Sequence, residues 1–269
     1  MELNVIDTHA HLDMPEFDLD RDTVIGRAFE NGVKIINTIG INLPSCYKAI
    51  ELAEKYPGIV ASVGFHPQES EGGNKADIDI LDQLAQHPKV VAIGEMGLDY
   101  YRLKSSKEKQ LQVLKWQLEL AKRVNKPIII HCREAQEDML NIIQSWIGTD
   151  FTPQQKPRGV LHCFSGNLET AQEYIRMGFL IALGAYIGYP SSGKLRDTLK
   201  NIASDNLVVE TDCPFLPPQK YRGQRNEPFY STITLGILAE IQGLSLEEMG
   251  RKTTSNARRL FNLVINNKN

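Results

Sequence analysis

The chain has 269 residues, of which 42% are hydrophobic and 23% charged, a composition and length that bury a full core and exclude disordered, collagen-like and coiled-coil proteins. Its 33 acidic and 30 basic residues leave a formal charge of −3, so no global basic field exists and any nucleic acid has to be gripped locally. No apolar run reaches the roughly 18 residues of a membrane helix, the start Met1-Glu2-Leu3-Asn4 lacks signal-peptide features, and four cysteines without a Cys-x-x-Cys pair form no disulfide framework. A cytoplasmic protein with reduced thiols and no membrane partner is expected.

Short β-branched runs alternate with amphipathic stretches along the chain. The runs predict strands at Leu3–His9, Val33–Ile39, Ile59–Phe65, Val90–Glu95, Pro127–Cys132, Gly159–Phe164, Phe179–Gly184 and Leu207–Asp212. Most are near-continuously apolar, as strands of a parallel sheet buried on both faces are. Between them, helical periodicity marks Asp22–Asn31, Ser45–Lys55, Ile78–Gln86, Lys107–Asn125, Ala135–Ile147, Leu168–Met177 and Lys194–Ala203. Eight strand-helix units of this total length predict an α/β fold of the (β/α)8 barrel type, with a doubly wound open sheet as the alternative. No linker or low-complexity tract interrupts residues 1–269, so one domain is expected. Beyond the last strand come a loop rich in proline (Pro214, Pro217, Pro218), a basic stretch from Lys220 to Arg225, and a helix from about Tyr230 to Gln242. Ser245-Leu246-Glu247-Glu248 then reads as a capping box opening a further helix, and Thr254–Val264 as the closing one.

Five of the six histidines, His9, His11, His66, His131 and His162, stand at or just after the C-terminal end of a predicted strand, while His87 reads as a loop residue. In a barrel that rim is where active sites are built. The strand period of two puts Asp7, His9 and His11 on one face, so both imidazoles can reach a single cation. Glu95, His131, His162 and Asp212 end four further strands. Four imidazoles and two carboxylates exceed what one ion uses, but suit two ions about 3.5–4 Å apart with a shared carboxylate. Barrel order suggests His9, His11 and Asp212 on one ion, His131 and His162 on the other, and Glu95 bridging. The competing reading is a polar lining for a small-ligand pocket. Cys132, Cys163 and Cys213 each follow a proposed ligand by one residue and should point away, as small buried hydrophobes. Asp7 and Glu210, one layer deeper, are expected to hold a ligand or loop by hydrogen bonds, or else to sit in buried ion pairs with a barrel lysine or arginine.

The segments Asp7-Thr8-His9-Ala10-His11-Leu12-Asp13, Gly64-Phe65-His66-Pro67, Gly94-Glu95-Met96-Gly97-Leu98-Asp99-Tyr100-Tyr101, His131-Cys132-Arg133, His162-Cys163-Phe164-Ser165-Gly166, Glu210-Thr211-Asp212-Cys213-Pro214 and Arg225-Asn226-Glu227-Pro228 resemble the ordered motifs of the TatD family of metal-dependent deoxyribonucleases. The resemblance spans nearly the whole chain. It implies a two-metal hydrolase of DNA phosphodiesters within the wider amidohydrolase-like group, with metal ligands at His9, His11, Glu95, His131, His162 and Asp212. Ala10 stands where relatives often have Cys, on the side facing away from the site.

In such an enzyme Asp212 is the candidate general base and Glu95 the bridge. His66 is placed to hydrogen-bond the phosphate or a terminal hydroxyl, or to hold a loop. Arg133 is a candidate phosphate clamp, and Arg222 and Arg225 either track the nucleic-acid backbone or form a solvated face. Bases would stack on some of Phe65, Tyr100, Tyr101, Phe164 and Tyr186, most aromatics at such positions being packing. Weak, local binding suits a nuclease trimming ends better than a processive duplex binder; the two-metal ligand set together with the resemblance implies a 3′-5′ exonuclease on single-stranded DNA, with no obligate protein partner implied. Four imidazoles favour Zn2+, Mn2+, Co2+ or Ni2+ over Mg2+, whereas the resemblance implies Mg2+-supported activity; Mg2+ is taken as the working ion. The alternatives are a hydrolase of a small cyclic amide, lactone or ester, and a metal-containing binding protein without turnover.

Overall fold

The computed structural model describes residues 4–148 and 156–263. Among these residues the apolar runs become strands β1 (Val5–Ala10), β2 (Val33–Ile39), β3 (Ile59–Val63), β4 (Val90–Asp99), β5 (Ile128–Arg133), β6 (Gly159–Leu161), β7 (Phe179–Leu183) and β8 (Leu207–Val209). They pair in parallel in sequence order, β1 through β8. The chain just past β8 returns to β1, where His11 N–H bonds Cys213 C=O at 2.8 Å and Asp212 N–H bonds His9 C=O at 2.9 Å. That contact closes the sheet into a (β/α)8 barrel.

The amphipathic stretches form α1 (Arg21–Glu30), α2 (Leu43–Lys55), α3 (Lys75–Ala85), α4 (Lys107–Val124), α5 (Gln136–Ile147), α6 (Leu168–Arg176), α7 (Gly193–Leu199), α8 (Ser231–Gln242) and α9 (Leu246–Phe261). Several start on side-chain caps that satisfy otherwise unpaired N–H groups: Asn42 Oδ1 accepts from Ser45 N in α2, and Ser245 Oγ from Glu248 N in α9, both at 3.1 Å. None of the helices is long and apolar enough to cross a membrane. Their apolar stripes bury Val24, Leu81, Leu114 and Leu238, among others, against the outer face of the strands. A second cluster, with Ile6, Ile39, Ile129 and Val208 from the strands, meets Leu260 and Phe261 of α9.

Several boundaries differ from expectation, and three of the differences bear on the rim. β6 stops at Leu161 and β8 at Val209, because Cys163 and Asp212 take positive φ angles of 48° and 58° that no strand continues. His162, Glu210 and Asp212 therefore stand on turns just past their strands. β4 instead runs four residues past Glu95, to Asp99. At the C-terminus the two expected helices are one, α9, since no breaker separates them and the Thr253 hydroxyl bonds Met249 C=O within the helix at 3.0 Å. The expected ends at Leu3 and Val264 lie outside the described residues.

Gly97 lets β4 come close to β5. It sits at φ 153°, and a Cβ there would lie 1.8 Å from the His131 carbonyl oxygen. Only glycine permits that approach, which sets Glu95 and Asp99 beside His131. Gly97→Ala is expected to lower unfolding free energy by about 2 kcal/mol or more in chemical denaturation. A wild-type midpoint would contradict the close approach.

Candidate metal centre

The rim elements deliver their polar side chains to one point. His9 comes from β1, with His11 on the following turn; Glu95 comes from β4 and His131 from β5. His9, His11, Glu95 and His162 are all buried, and Asp212 is partly so. His9 Nε2 lies 3.3 Å from both His11 Nε2 and Glu95 Oε2, and Asp212 Oδ1 lies 3.4 Å from His11 Nε2. The other Glu95 oxygen, Oε1, faces His131 Nδ1 at 2.7 Å, with His66 Nε2 and His162 Nε2 each at 3.7 Å. The two carboxylate oxygens of Glu95 thus look toward different imidazoles. The His9 and His162 rings stack with centroids 3.6 Å apart.

This chemistry fits divalent cations. Two ring nitrogens at 3.3 Å can face each other stably only with a proton or a cation between or beside them, and carboxylate oxygens converge on the same place. Donor atoms of His9, His11 and Asp212 lie within 4.8 Å of one another, as do those of His9, Glu95 and His162, and those of His66, Glu95 and His131. His131 thus shares a donor group with His66, whereas the sequence pairs it with His162, whose ring centroid is 6.3 Å away. His66 Nδ1 accepts from Gln68 N–H at 3.1 Å, so in its neutral form Nε2 carries the proton and points it toward Glu95.

A further layer of carboxylates grips these residues. Asp7 accepts from Thr211 N at 2.9 Å, Thr211 Oγ1 at 2.6 Å and His9 N at 3.3 Å, tying the end of β1 to the turn after β8. Glu210 meets His162 Nδ1 at 2.9 Å and accepts from Cys163 N at 2.8 Å. Asp99, fully buried, is a member of this layer that the sequence reading missed. Its Oδ2 meets His131 Nε2 at 3.3 Å and Gln68 Nε2 at 2.7 Å, while Oδ1 accepts from Tyr101 N at 3.0 Å and Arg102 N at 2.8 Å. The signal was present: residues 95, 97 and 99 share a strand face.

Burial and charge pull the titrating groups apart. Burial works against charge on His11 and His162, but the carboxylates beside them prevail: Asp212 and Glu95 hold His11 up to about 9, and Glu210 and Glu95 hold His162 up to about 10. His131 is raised too, against its burial, by Asp99 and Glu95. His9 is lowered by burial and by the stacked His162, and burial takes His66 down to about 3. Against their own burial, surrounding imidazoles keep Glu95 and Asp212 below the usual carboxylate range. Burial lifts Asp7 to about 8 against the hydrogen bonds it accepts.

The mouth above this cluster is a cleft of about 590 Å3, lined on one side by Arg102, Lys104 and Arg133. Several of the expected substrate contacts are engaged within the protein itself. Phe164 is 3% exposed and cannot stack on a base, and Phe65 and Tyr186 are also buried in packing. The Tyr100 hydroxyl donates to Asp138 at 2.7 Å, and Lys107 covers its ring. Arg225 is clamped on Asp20 at 2.8 and 2.7 Å and on Glu227 at 3.2 Å, which makes it an anchor of the loop after β8 instead of a free backbone contact. Arg222 lies over the Tyr189 ring, and Arg133 over the exposed Tyr101 ring at 3.9 Å. Cys213 is buried as expected; Cys132 and Cys163 are partly buried against the core and also border the cleft, and the positive φ at Cys163 breaks the strand alternation at that residue.

Residues 6–262 match the family model described as TatD related DNase. The chain is 40% identical over 259 residues to YabD of Bacillus subtilis, an uncharacterised metal-dependent hydrolase, covering 96% of this chain and 99% of that protein. It is 34% identical over 266 residues to a Salmonella typhimurium protein named 3′-5′ ssDNA/RNA exonuclease TatD, covering 97% of this chain and 100% of that one. Among solved structures, YJJV, a TatD homologue from Escherichia coli, superposes with a TM-score of 0.90 at 31% identity, covering 98% of this chain and 100% of that chain.

Cations and protons compete for the same ring nitrogens. Because neighbouring carboxylates hold His11 and His162 up to about 9 and about 10, both carry protons at neutral pH that a cation has to displace. Calorimetric titration of Mn2+ into metal-free protein should release protons and show affinity rising between pH 6 and pH 8, by about tenfold per pH unit for each proton displaced. Affinity independent of pH over that range would contradict the arrangement.

Proposed function

The chain belongs to the TatD-related DNase family of metal-dependent hydrolases acting on ester bonds, and from that membership we propose that it trims single-stranded DNA from the 3′ end, using two divalent cations held in a single catalytic domain. The observation that carries this reading is the orientation of Glu95, one oxygen toward His9 and the other toward His131 and His162. His9, His11 and Asp212 would hold one cation and His131 and His162 the other, with Glu95 placed between the two sets. His66 stays outside the ligand set because its Nδ1 is occupied by the Gln68 amide. Cations held there would supply charge neutralisation for the non-bridging phosphate oxygens and acidity for a water, with Mg2+ as the working ion and Mn2+, Zn2+, Co2+ or Ni2+ accepted by the imidazoles.

The protein's own groups do the rest. Asp212, partly open to the cleft and anionic, takes a proton from the attacking water. His66, neutral, donates its Nε2 proton in a hydrogen bond to a phosphate oxygen or the departing hydroxyl. Arg133 and its neighbours Arg102 and Lys104 attract the phosphates of the strand still to be cut, which favours a phosphodiester over a neutral lactone or amide. The acidic whole keeps binding local and salt-sensitive.

Exhaustive chelation is expected to abolish release of nucleotides from a 3′-labelled single strand, and added Mg2+ or Mn2+ to restore it; undiminished cleavage under chelation would sink the proposal. Asp212→Asn keeps one coordinating oxygen but not the base. Turnover should then fall about 10²–10⁴-fold while metal content is largely retained. Wild-type turnover at saturating metal would assign the proton acceptor elsewhere.

A further inference from the structure

Among the large hydrophobic side chains exposed in the described residues, Phe215 is the one that lines the cleft. It is 46% exposed, and its ring stands edge-on to His11 with centroids 6.1 Å apart. An apolar ring left half in water beside a polar cluster contributes little to folding, yet its backbone is held with unusual care. Phe215 N–H closes a turn on Asp212 C=O at 2.9 Å. The buried Asn226 amide then donates to both Thr211 C=O at 2.8 Å and Phe215 C=O at 2.6 Å, clamping the two ends of that turn with one side chain. The backbone that carries the ring is thereby fixed relative to Asp212, as that of a recognition element has to be.

The cleft has two unlike lips. On the side after β8 and β1 lie Phe215, Leu216 and Met14; across the barrel, after β4 and β5, lie Arg102, Lys104 and Arg133. A single strand with its scissile phosphate at the metal cluster has one base and one sugar on the leaving side and a run of phosphates on the other. The cationic lip matches the phosphates of the retained strand. The apolar lip then faces the terminal nucleoside.

Building on the nuclease reading, we propose that Phe215 is the stacking platform for the base of the terminal nucleotide, so that the enzyme grips the end of a single strand by that base without regard to its identity. Stacking on an aromatic face is open to every base and contributes about 1–3 kcal/mol per base, roughly 5- to 150-fold in affinity. The platform belongs to the β8 lip, whereas Arg133 lies across the cleft, on the side of the inner part of the strand.

The test uses metal-supplemented protein and oligonucleotides whose 3′-terminal linkage is a phosphorothioate, to slow cleavage. One carries 2-aminopurine as its terminal base, and its partner an abasic terminal residue. Wild-type protein should quench the 2-aminopurine and bind the based end at least about fivefold more tightly than the abasic end. Phe215→Ala should abolish the quenching and bind both ends alike, while Phe215→Trp should restore the preference. An unchanged circular-dichroism spectrum and melting temperature confirm that these variants are folded. If Phe215→Ala keeps the wild-type preference and quenching, the proposal is overturned and the nuclease reading stands. If wild-type protein binds neither oligonucleotide, the nuclease reading falls with it.

Discussion

The rim of this barrel depends on one buried carboxylate surrounded by imidazoles. Glu95 is 2% exposed and has four histidines, His9, His66, His131 and His162, within 3.7 Å of its oxygens. A lone carboxylate buried this deeply would protonate, and without it the imidazoles that face its oxygens, two buried and two partly buried, would lose a shared counter-charge. Together they leave Glu95 anionic. The consequence is a cluster that binds positive charge, whether as protons shared among the rings or as divalent cations.

Holding such a cluster against its own repulsion requires rigid backing, and the fold supplies it from strands on opposite sides of the barrel. Asp7 ties the end of β1 to Thr211, Glu210 grips His162 and the Cys163 amide, and Asp99 joins His131 to Gln68 and to the turn carrying Arg102. Each of these carboxylates spends its oxygens on neighbours of the cluster, which orients the rings before any cation or substrate arrives. The same economy extends to the surface. Through Asp99, the position of His131 is coupled to the cationic lip of the cleft, and through Thr211 and Asn226, the position of Asp212 is coupled to Phe215.

The barrel was legible in the sequence because its strands are buried on both faces and read as apolar runs, and the histidines were legible because they break those runs at one end. Where the alternation of a strand was extended too far, inference failed. Cys163 was expected to face away, but the positive φ at that residue breaks the alternation, and it borders the cleft. Phe164, one residue on, packs into the core instead of reaching substrate. Arg225 looked like a free cation because its partners, Asp20 and Glu227, include one about two hundred residues distant. Asp99 and Phe215 were visible as residues but not as parts of the site, since hydrogen bonds across the barrel and the exposure of one ring are tertiary facts. Periodicity carries the fold and the inward face, while partner choice among charged groups needs the closed barrel.

The central claim is that Glu95 lies between two cation positions. Anomalous diffraction from crystals soaked in Mn2+ tests it directly. The account predicts two peaks about 3.5–4 Å apart, one beside His9, His11 and Asp212 and the other beside His131 and His162, each within bonding distance of a Glu95 oxygen. A single peak, or two peaks neither of which touches Glu95, would contradict it.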